Sequence, residues 1–331
     1  MTPPVHVARV GLVVVNFASH DLVEVNLGGL DLEVDHRVVV VDSFSSAREA
    51  AALSGVAHRH GWELIALPTN VGFGAAMNVG VARARALGCD VFVLVNPDLR
   101  IGADVVAALA AHCRRDPGCV VSPRILRPDG SVWFAGGQVL VDSGRTITRG
   151  ADSSARDGWL SGACLALHER VWSAIGGFDE DYFLYWEDVD LSWRAAAAGA
   201  ALRVRTDLDV VHDVGGTQGA RKSATYYRYN CRNRLVFAAK NLDRRQVAAW
   251  ARTTSSYARL VINRGDHPRT RFPWVALLST ARGSVEGLWF ALAPRRGRTS
   301  QPAHRGDAGQ PTVGWDGEAT PPHPSQARPA G

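Results

Sequence analysis

The first half of the chain alternates short apolar runs with longer amphipathic segments. Helical periodicity covers residues 46–58, 74–87 and 103–115. Four runs rich in Val and Leu predict buried strands, at 10–15, 37–42, 63–67 and 90–95. Continuous apolar strands that alternate with helices are typical of a mostly parallel sheet with both faces covered. We therefore expect an α/β fold with a central sheet flanked by helices.

The pattern changes after Cys119. Short strands with turn signals over 119–149 predict a hairpin insertion, and 159–168 predicts a further buried strand. Later segments predict a helix at 187–198, a strand at 201–205, and three basic or amphipathic helices at 221–242, 244–262 and 273–292. We expect three parts: a core domain over residues 1–220, a helical region packed on it over 221–293, and a disordered tail over 294–331.

Composition fits a globular protein with a substantial core. The 331 residues are 46% hydrophobic and 21% charged, and the five cysteines are scattered without CxxC spacing. This cysteine pattern predicts neither a zinc site nor a disulfide framework, and it favours a reducing compartment. The N-terminal residues lack a signal-peptide pattern, and no run approaches the ~20 apolar residues of a membrane-spanning helix. We expect a cytoplasmic protein.

The net charge of +5 is unevenly distributed. Residues 221–298 hold 17 Lys/Arg against 3 Asp/Glu, so the rest of the chain is acidic. Such a basic region binds nucleic acid, anionic lipid or phosphorylated small molecules, or it is simply a solvated arginine-rich surface. No recognised nucleic-acid motif is present. The missing GxGxxG pattern disfavours a dinucleotide-dependent oxidoreductase.

Polar residues follow the predicted strands, where ligands bind in parallel α/β sheets. They are Asn16, Asp42, Asn70, Asn96 and Asp98. A divalent cation on Asp98 could bridge two phosphates, although Asn-Pro-Asp is also an ordinary turn sequence. Asp42 could accept a hydrogen bond from a nucleobase or ribose, or it could cap the next helix.

Three further segments carry candidate chemistry. The glycine-rich turn over 70–80, with Gly72 and Asn78, allows close backbone approach to a ligand or tight helix–sheet packing. Glu187 and Asp188 follow an aromatic run; they could supply a general base whose pKa is raised by apolar surroundings, or favourable charge at a helix N-terminus. His212, after a strand-like run, is either a ligand for a metal ion such as Mn²⁺ or a structural histidine.

These motifs, in this order, resemble glycosyltransferase family 2, the inverting nucleotide-sugar-dependent enzymes with a GT-A fold. The resemblance spans about residues 10–240, and within the family the chain looks most like the bacterial dTDP-rhamnosyltransferase branch. The segments that carry it are VVVNF, VVVVDSFS, NVGFGAAMNVG, VLVNPD, SGACLALHERVWSAIGGFDEDYFLYWEDVDLSWR, VVHDVGGT and YYRYNCRNRLVF.

The resemblance implies a role for each candidate residue. Asp42 would contact the nucleotide base. Asn96 to Asp98 would be the DxD-type motif, with Asn96 in place of the usual first acid. Asp98 and His212 would hold Mg²⁺ or Mn²⁺. Asp188 would be the catalytic base, with Glu187 beside it.

The same resemblance places the remaining candidates near the donor. Gly162 and Ala163 would lie near the sugar, and Arg232 could serve the donor diphosphate. Asn16, Asn70, Gly72 and Asn78 complete the expected nucleotide-sugar site.

The resemblance also implies the reaction and the partners. The processive QxxRW signature is missing, which implies transfer of one sugar per event. The acceptor would be a glycan hydroxyl, on a polyprenyl-diphosphate carrier in this branch, and the basic helices would meet an anionic membrane surface at its inner face. Two alternatives stay open: transfer of another sugar (galactofuranosyl, glucosyl or deoxysugar, including natural-product glycosylation), and a non-catalytic nucleotide-sugar-binding relative.

Overall fold

The computed structural model describes residues 9–32, 34–148, 157–213, 222–265 and 273–293. All of them belong to one compact unit, Met1–Pro294. The expectation of a disordered tail concerns residues 294–331, which lie outside the described residues.

The described chain alternates strands and helices from its beginning. Its strands are β1 (Arg9–Asn16), β2 (His36–Asp42), β3 (Glu63–Ala66), β4 (Cys89–Val95), β5 (Leu99–Arg100), β6 (Cys119–Leu126), β7 (Val132–Phe134), β8 (Gly137–Leu140), β9 (Arg145–Thr148), β10 (Gly158–Trp159), β11 (Cys164–His168) and β12 (Ala201–His212). Its helices are α1 (His20–Leu27), α2 (Ala47–His60), α3 (Phe73–Ala86), α4 (Ala103–Arg115), α5 (Glu169–Ile175), α6 (Glu187–Ala197), α7 (Ala224–Asn241), α8 (Arg244–Arg252), α9 (Thr254–Gly265) and α10 (Pro273–Leu292).

The central sheet has the strand order β3-β2-β1-β4-β11-β6-β12-β5, with β7 paired to β6. Strands β3, β2, β1 and β4 are parallel, and their register places Asn16 beside Asp42. Strand β11 runs antiparallel between β4 and β6, and β12 is parallel to β6. The predicted α/β fold with a helix-flanked central sheet is confirmed; the sheet is parallel in its first half and mixed in its second.

Side chains of β1 pack alternately on the two faces of the sheet. Leu12 and Val14 belong to one buried cluster, and Val13 and Val15 to the other. Both faces are therefore apolar, which explains the unbroken Val/Leu run in the sequence. On one face α3 comes very close to the sheet, since a Cβ added to Gly80 would lie 2.4 Å from Cγ1 of Val13.

The middle of the chain differs from the sequence-based prediction. The segment read as a hairpin insertion from Cys119 begins with β6, a central strand; only β8 and β9, with β10, form a separate small sheet. The turn residues near Pro128 led to the hairpin prediction, although the apolar run before them is strand β6. The single strand predicted over 159–168 is two strands, because the chain turns at 160–163 where Gly162 sits against Asp188.

Four helices also differ from the prediction. The predicted helix 244–262 is two helices, α8 and α9, separated at Thr253. Helices α1 and α5 were not predicted, because each spans only eight or seven residues and offers little periodicity.

The helical region packs on the core through a buried arginine. Arg234 of α7 is 1% exposed; its guanidinium donates to the carbonyl oxygens of Gly144 (2.7 Å) and Trp250 (2.9 Å). The same group lies over the rings of Trp250 and Tyr257, and burial lowers the pKa of Arg234 to about 10. Arg234 thus joins α7 and α8 to the β8–β9 turn.

None of the helices in the described ranges combines the length and apolarity needed to cross a bilayer.

Candidate active site

The candidate residues gather at the carboxyl ends of the parallel strands. Here β1 ends at Asn16, β2 at Asp42 and β4 just before Asn96. The 160–163 turn reaches the same place, since the backbone N–H of Asn96 donates to the carbonyl oxygen of Ala163 at 3.0 Å. This is the edge of the sheet where α/β proteins bind ligands.

Asp42 offers a buried acceptor. The residue is 1% exposed, and its Oδ1 accepts from Nδ2 of Asn16 at 3.2 Å. Its buried Oδ2 has no hydrogen-bond partner among the described residues. Burial raises the pKa of Asp42, and the bond from Asn16 partly offsets that rise. Because Ser46 is the N-cap of α2, helix capping does not explain Asp42; its free oxygen suits an N–H or O–H donor of a ligand.

Asn16 itself is a buried support. Its Nδ2 donates to Asp42 and to Oε1 of Glu49 (3.1 Å), and its Oδ1 accepts from the backbone N–H and hydroxyl of Ser19 (3.1 and 3.0 Å). Both ends of the amide are thus engaged within the protein, and Asn16 fixes the position of the Asp42 carboxyl.

The glycine-rich turn places the start of α3 against the acidic aromatic segment. Asn70 Oδ1 accepts from the hydroxyl of Ser43 (3.1 Å) and from the N–H of Gly72 (2.9 Å). Gly72 has φ 88°, and a Cβ there would lie 2.3 Å from the carbonyl oxygen of Phe183. The N–H of Phe73 donates to that same oxygen at 3.0 Å. Only glycine fits this close approach.

Asn78 holds the same segment one turn further along α3. Its Nδ2 donates to the carbonyl oxygen of Phe178 (2.9 Å) and to Glu180 (3.1 Å), and its Oδ1 accepts from the N–H of Phe178 (2.8 Å). In this arrangement Asn78 anchors the 177–186 loop to α3.

Asp98 and His212 form a buried pair at the ends of β4 and β12. The two residues are 5% and 6% exposed, and Oδ1 of Asp98 lies 2.9 Å from Nε2 of His212. Nδ1 of His212 is buried without a partner in the part of the chain that the structure describes, and the ring packs edge-on against Trp133. A carboxylate and an imidazole this close are ligands that one Mg²⁺ or Mn²⁺ ion can contact together.

Glu187 and Asp188 begin α6 in different environments. Asp188 accepts from the N–H of Gly162 through Oδ2 (2.9 Å) and from the N–H of Val189 through Oδ1 (2.8 Å). Glu187 is 6% exposed, and its Oε2 has no partner within the described ranges. Favourable helix-end charge therefore does not account for Glu187.

Burial raises the pKa of both carboxyls. That of Glu187 lies well above its usual value, because the nearby Asp188 adds to the burial, whereas the two backbone N–H bonds hold down the pKa of Asp188. The backbone N–H bonds favour the ionised form of Asp188, and burial favours the neutral form of Glu187. A carboxylate with a raised pKa beside a ligand site can act as a general base.

A strained turn directly precedes Glu187 and Asp188. Tyr185 and Trp186 both adopt left-handed conformations, with φ 66° and 74°. Asn233 of α7, fully buried, donates through Nδ2 to the carbonyl oxygens of Leu184 (2.9 Å) and Tyr185 (2.8 Å). Two consecutive left-handed non-glycine residues are costly and persist only where the surroundings hold them. Asn233 was not among the residues predicted from the sequence, although an amide among the apolar residues of a helix indicates a buried hydrogen-bonding role.

Arg232 and Gly162 contact the chain before and after this turn, at Asp181 and Asp188. Arg232 donates to the carbonyl oxygen of Asp181 (2.8 Å) and to Oδ1 of Asn233 (2.6 Å), so in this arrangement it supports the loop. A Cβ on Gly162 would lie 3.3 Å from Cβ of Asp188 and 3.4 Å from the ring of Phe73. Gly162 therefore leaves narrow space beside the candidate base.

Hydrogen bonds connect most of the predicted residues. The Asn96–Ala163 bond and the Gly162–Asp188 bond link the end of β4 to the candidate base Asp188. Asn16, Asp42 and Asn70 form a second group, joined through Ser43. Asn78 and Arg232 stand apart from both groups and hold the 177–186 loop.

A second group of residues with potential metal-ligand atoms lies away from this site. Those of His112, Asp116 and Cys119 are within 4.8 Å of one another. They sit at the opposite end of the sheet, where Cys119 pairs with Ala201 at the start of β12. Burial lowers the pKa of His112, as do the charges of Arg205 and other nearby arginines, and this positive environment disfavours a cation.

The fold is that of the GT-A glycosyltransferases. Residues 32–164 match the profile of "Glycosyl transferase family 2". This is the family that the motifs of the chain resemble, and the match covers 133 of its 331 residues.

The chain is also similar in sequence or structure to individual glycosyltransferases. The chain is 27% identical over 256 residues (69% of this chain, 83% of the relative) to N-acetylglucosaminyl-diphospho-decaprenol L-rhamnosyltransferase of Mycobacterium tuberculosis. It is 22% identical over 196 residues (57% and 65%) to dTDP-rhamnosyl transferase RfbF of Shigella flexneri. The mannosyltransferase PcManGT of Pyrobaculum calidifontis, solved with GDP-Man and Mn²⁺, has the same fold, with a TM-score of 0.53 at 16% identity over 85% of this chain and 87% of that one.

Proposed function

We propose that this protein transfers a single L-rhamnose from dTDP-L-rhamnose, with inversion, to a hydroxyl of a polyprenyl-diphosphate-linked glycan in cell-wall or polysaccharide synthesis. The observation that carries the proposal is the half-buried Asp188 carboxylate, which accepts hydrogen bonds from the N–H groups of Gly162 and Val189 beside the ligand end of the sheet. The rhamnosyl donor is supported by the names of two relatives, one of which includes a decaprenol-linked acceptor.

The donor is assigned to the edge between Asp42 and Asp98. The unpartnered Oδ2 of Asp42 accepts from the nucleobase, and Asn70 and Gly72 shape the turn beside it. Asp98 and His212 hold Mg²⁺ or Mn²⁺, as supported by their 2.9 Å separation and by the Mn²⁺ in the PcManGT structure. When bound, such an ion neutralises the charge of the diphosphate leaving group.

Catalysis then rests on Asp188. Its carboxylate takes the proton of the acceptor hydroxyl, and the oxygen forms a bond to the anomeric carbon as the bond to the diphosphate breaks. Attack from the opposite face inverts the configuration. Glu187, neutral and buried, keeps a second negative charge away from the acceptor, and Gly162 leaves space for the sugar beside the base.

A lipid-linked acceptor places the reaction at the inner face of the cell membrane. The basic helical region is suited to an anionic headgroup layer. The enzyme would work there as a peripheral protein on the cytoplasmic side.

A donor panel tests the proposal. Release of nucleoside diphosphate is measured for dTDP-L-rhamnose, UDP-glucose, UDP-galactofuranose and GDP-mannose, with a lipid-linked acceptor, in Mn²⁺, Mg²⁺ or EDTA. We expect metal-dependent release from dTDP-L-rhamnose alone, and its loss in Asp98→Asn. Release from another donor only would contradict the rhamnosyl assignment, and equal release in EDTA would contradict the metal site.

A further inference from the structure

One face of α10 is occupied by α7. Ala276 and Thr280 are buried on this face. A Cβ added to Gly283 would lie 2.0 Å from the carbonyl oxygen of Arg228, and one added to Gly287 would lie 2.9 Å from that of Arg232. These four residues, spaced four, three and four apart, lie on one side of the helix. Their contact with α7 fixes the rotation of α10 about its axis.

The opposite side of α10 is also apolar. Leu278, Val285, Trp289 and Leu292 are 68%, 67%, 74% and 72% exposed. At about 100° per residue they point away from the glycine side. A helix that is apolar on both sides is expected to be covered on both. We call these four residues the α10 face.

The exposure is concentrated on this helix. Among the described residues, seven of the twelve exposed large apolar side chains belong to α10; besides the α10 face they are Trp274, Val275 and Leu277. Isolated exposed apolar residues are normal, but a contiguous stripe marks an interaction surface.

We propose that the α10 face docks on the interface of an anionic lipid bilayer, with the helix lying in the membrane plane. This inference deepens the proposed function and rests on it in one respect, since a lipid-linked acceptor is presented at such a surface. Tryptophan on an apolar face, flanked by arginine, is typical of interfacial helices.

The positive charge of the helical region favours an anionic bilayer as the partner of the α10 face. The described residues 222–265 and 273–293 hold eleven Lys/Arg and two Asp/Glu, and one of those acids, Glu286, is paired with Arg228 and Arg282. The exposed bases are Lys222, Arg244, Arg245, Arg252, Arg259, Arg264 and Arg282. Anionic headgroups are attracted to such a region.

The same charge disfavours two other occupants. A second copy of the chain would bring two strongly basic regions together. Residues 295–331 hold five Lys/Arg against three Asp/Glu, so this segment is also basic.

Vesicle sedimentation tests the docking. The variant Leu278→Glu/Trp289→Glu is compared with wild type and with the matched control Val25→Glu/Val132→Glu, which adds the same charge at positions 77% and 51% exposed. Vesicles contain phosphatidylcholine with graded phosphatidylglycerol. We expect wild type and control to bind in proportion to phosphatidylglycerol, more weakly at high salt, and the α10 variant to bind at least about tenfold more weakly.

Three results would overturn the docking: wild type remaining in the supernatant at every phosphatidylglycerol fraction, the α10 variant binding like wild type, or the control losing binding equally. Sedimentation velocity shows whether the variant instead abolishes a dimer, which would make a second copy the occupant. Sugar transfer to a detergent-solubilised lipid-linked acceptor, measured on all three proteins without vesicles, reports on the proposed function separately. Vesicle binding without transfer from any donor would contradict the transferase and leave the docking standing.

Discussion

Two neighbouring carboxyls at the start of α6 are given different chemistry by their hydrogen bonds. Asp188 accepts two backbone N–H groups, and Glu187 is buried with Asp188 beside it. The sequence predicted that one of the pair is a base, because acids among aromatic residues are costly without a task. The residue pattern alone could not rank them, because the N–H of Gly162 comes from a turn 26 residues away; only the family resemblance favoured Asp188.

Asp188→Asn should therefore remove the base without unfolding the protein. We expect transfer to fall by about 10²- to 10⁴-fold, since an amide cannot take the proton. Initial rates and circular dichroism check this. Asp104→Asn, the same change in the exposed first turn of α4, should leave the rate unchanged. Retention of substantial turnover by a folded Asp188→Asn protein would disprove the assignment.

Glu187→Gln should change how stability depends on pH. The raised folded-state pKa of Glu187 means that its contribution is fully present below the unfolded pKa and is lost as pH rises through the folded pKa. In that window wild type loses up to about 1.4 kcal/mol per pH unit from this group, and the variant does not. Melting temperatures from pH 5 to 9 should show the advantage of Glu187→Gln growing with pH. An advantage that is constant or shrinks as pH rises would contradict the buried neutral carboxyl.

At the level of the element, the Tyr185–Trp186 turn depends on helix α7 for its conformation. Asn233 holds the left-handed Tyr185–Trp186 turn from which α6 starts. Asn233→Leu should lower kcat by about 10- to 100-fold, because a small displacement of the base is enough, while KM for the donor changes little. Adding Tyr185→Gly, which accepts positive φ without strain, should restore part of kcat.

The control for this prediction lies one turn away. Asn230→Leu removes only a bond to Tyr226 of the same helix and should have little effect. Equal losses in both variants, or no recovery with Tyr185→Gly, would mean that Asn233 serves only packing.

Gly72 makes a second prediction at the start of α3. Gly72→Ala combines positive φ with a Cβ 2.3 Å from the Phe183 carbonyl oxygen, and we expect it to cost at least about 3 kcal/mol. Gly61→Ala has φ 65° and open space, so it should cost about 1 kcal/mol. Chemical denaturation measures both. Similar costs would show that the close approach to Phe183 is relaxed in solution.

Elements were predictable where the local signal was strong. The strands β1, β2, β3 and β4 each contain a run of apolar residues, mostly Val, Leu and Ile, and the structure has them within two residues of the prediction. Helices α1 and α5 are too short to show periodicity. Strand β6 becomes central only through pairing with β11 and β12, which are distant in sequence.

For the whole molecule, the order of the sequence motifs pointed to the family that the profile match supports, whereas the arrangement of the site depends on long-range contacts. Asp98 meets His212 across 114 residues, and Asn233 reaches the turn before Glu187 across 48. The helical region therefore supports the turn before Glu187 through Asn233 and also carries the α10 face. Its removal should leave the turn before the base unsupported.

The most direct measurement is the anomeric configuration of the product. Transfer is run with dTDP-L-rhamnose, the lipid-linked acceptor and Mn²⁺, and the linkage is determined by nuclear magnetic resonance. A single displacement with Asp188 as base predicts a rhamnoside whose anomeric configuration is opposite to that of the donor. A product with the donor's configuration would contradict the account, since it requires a second displacement or a different mechanism.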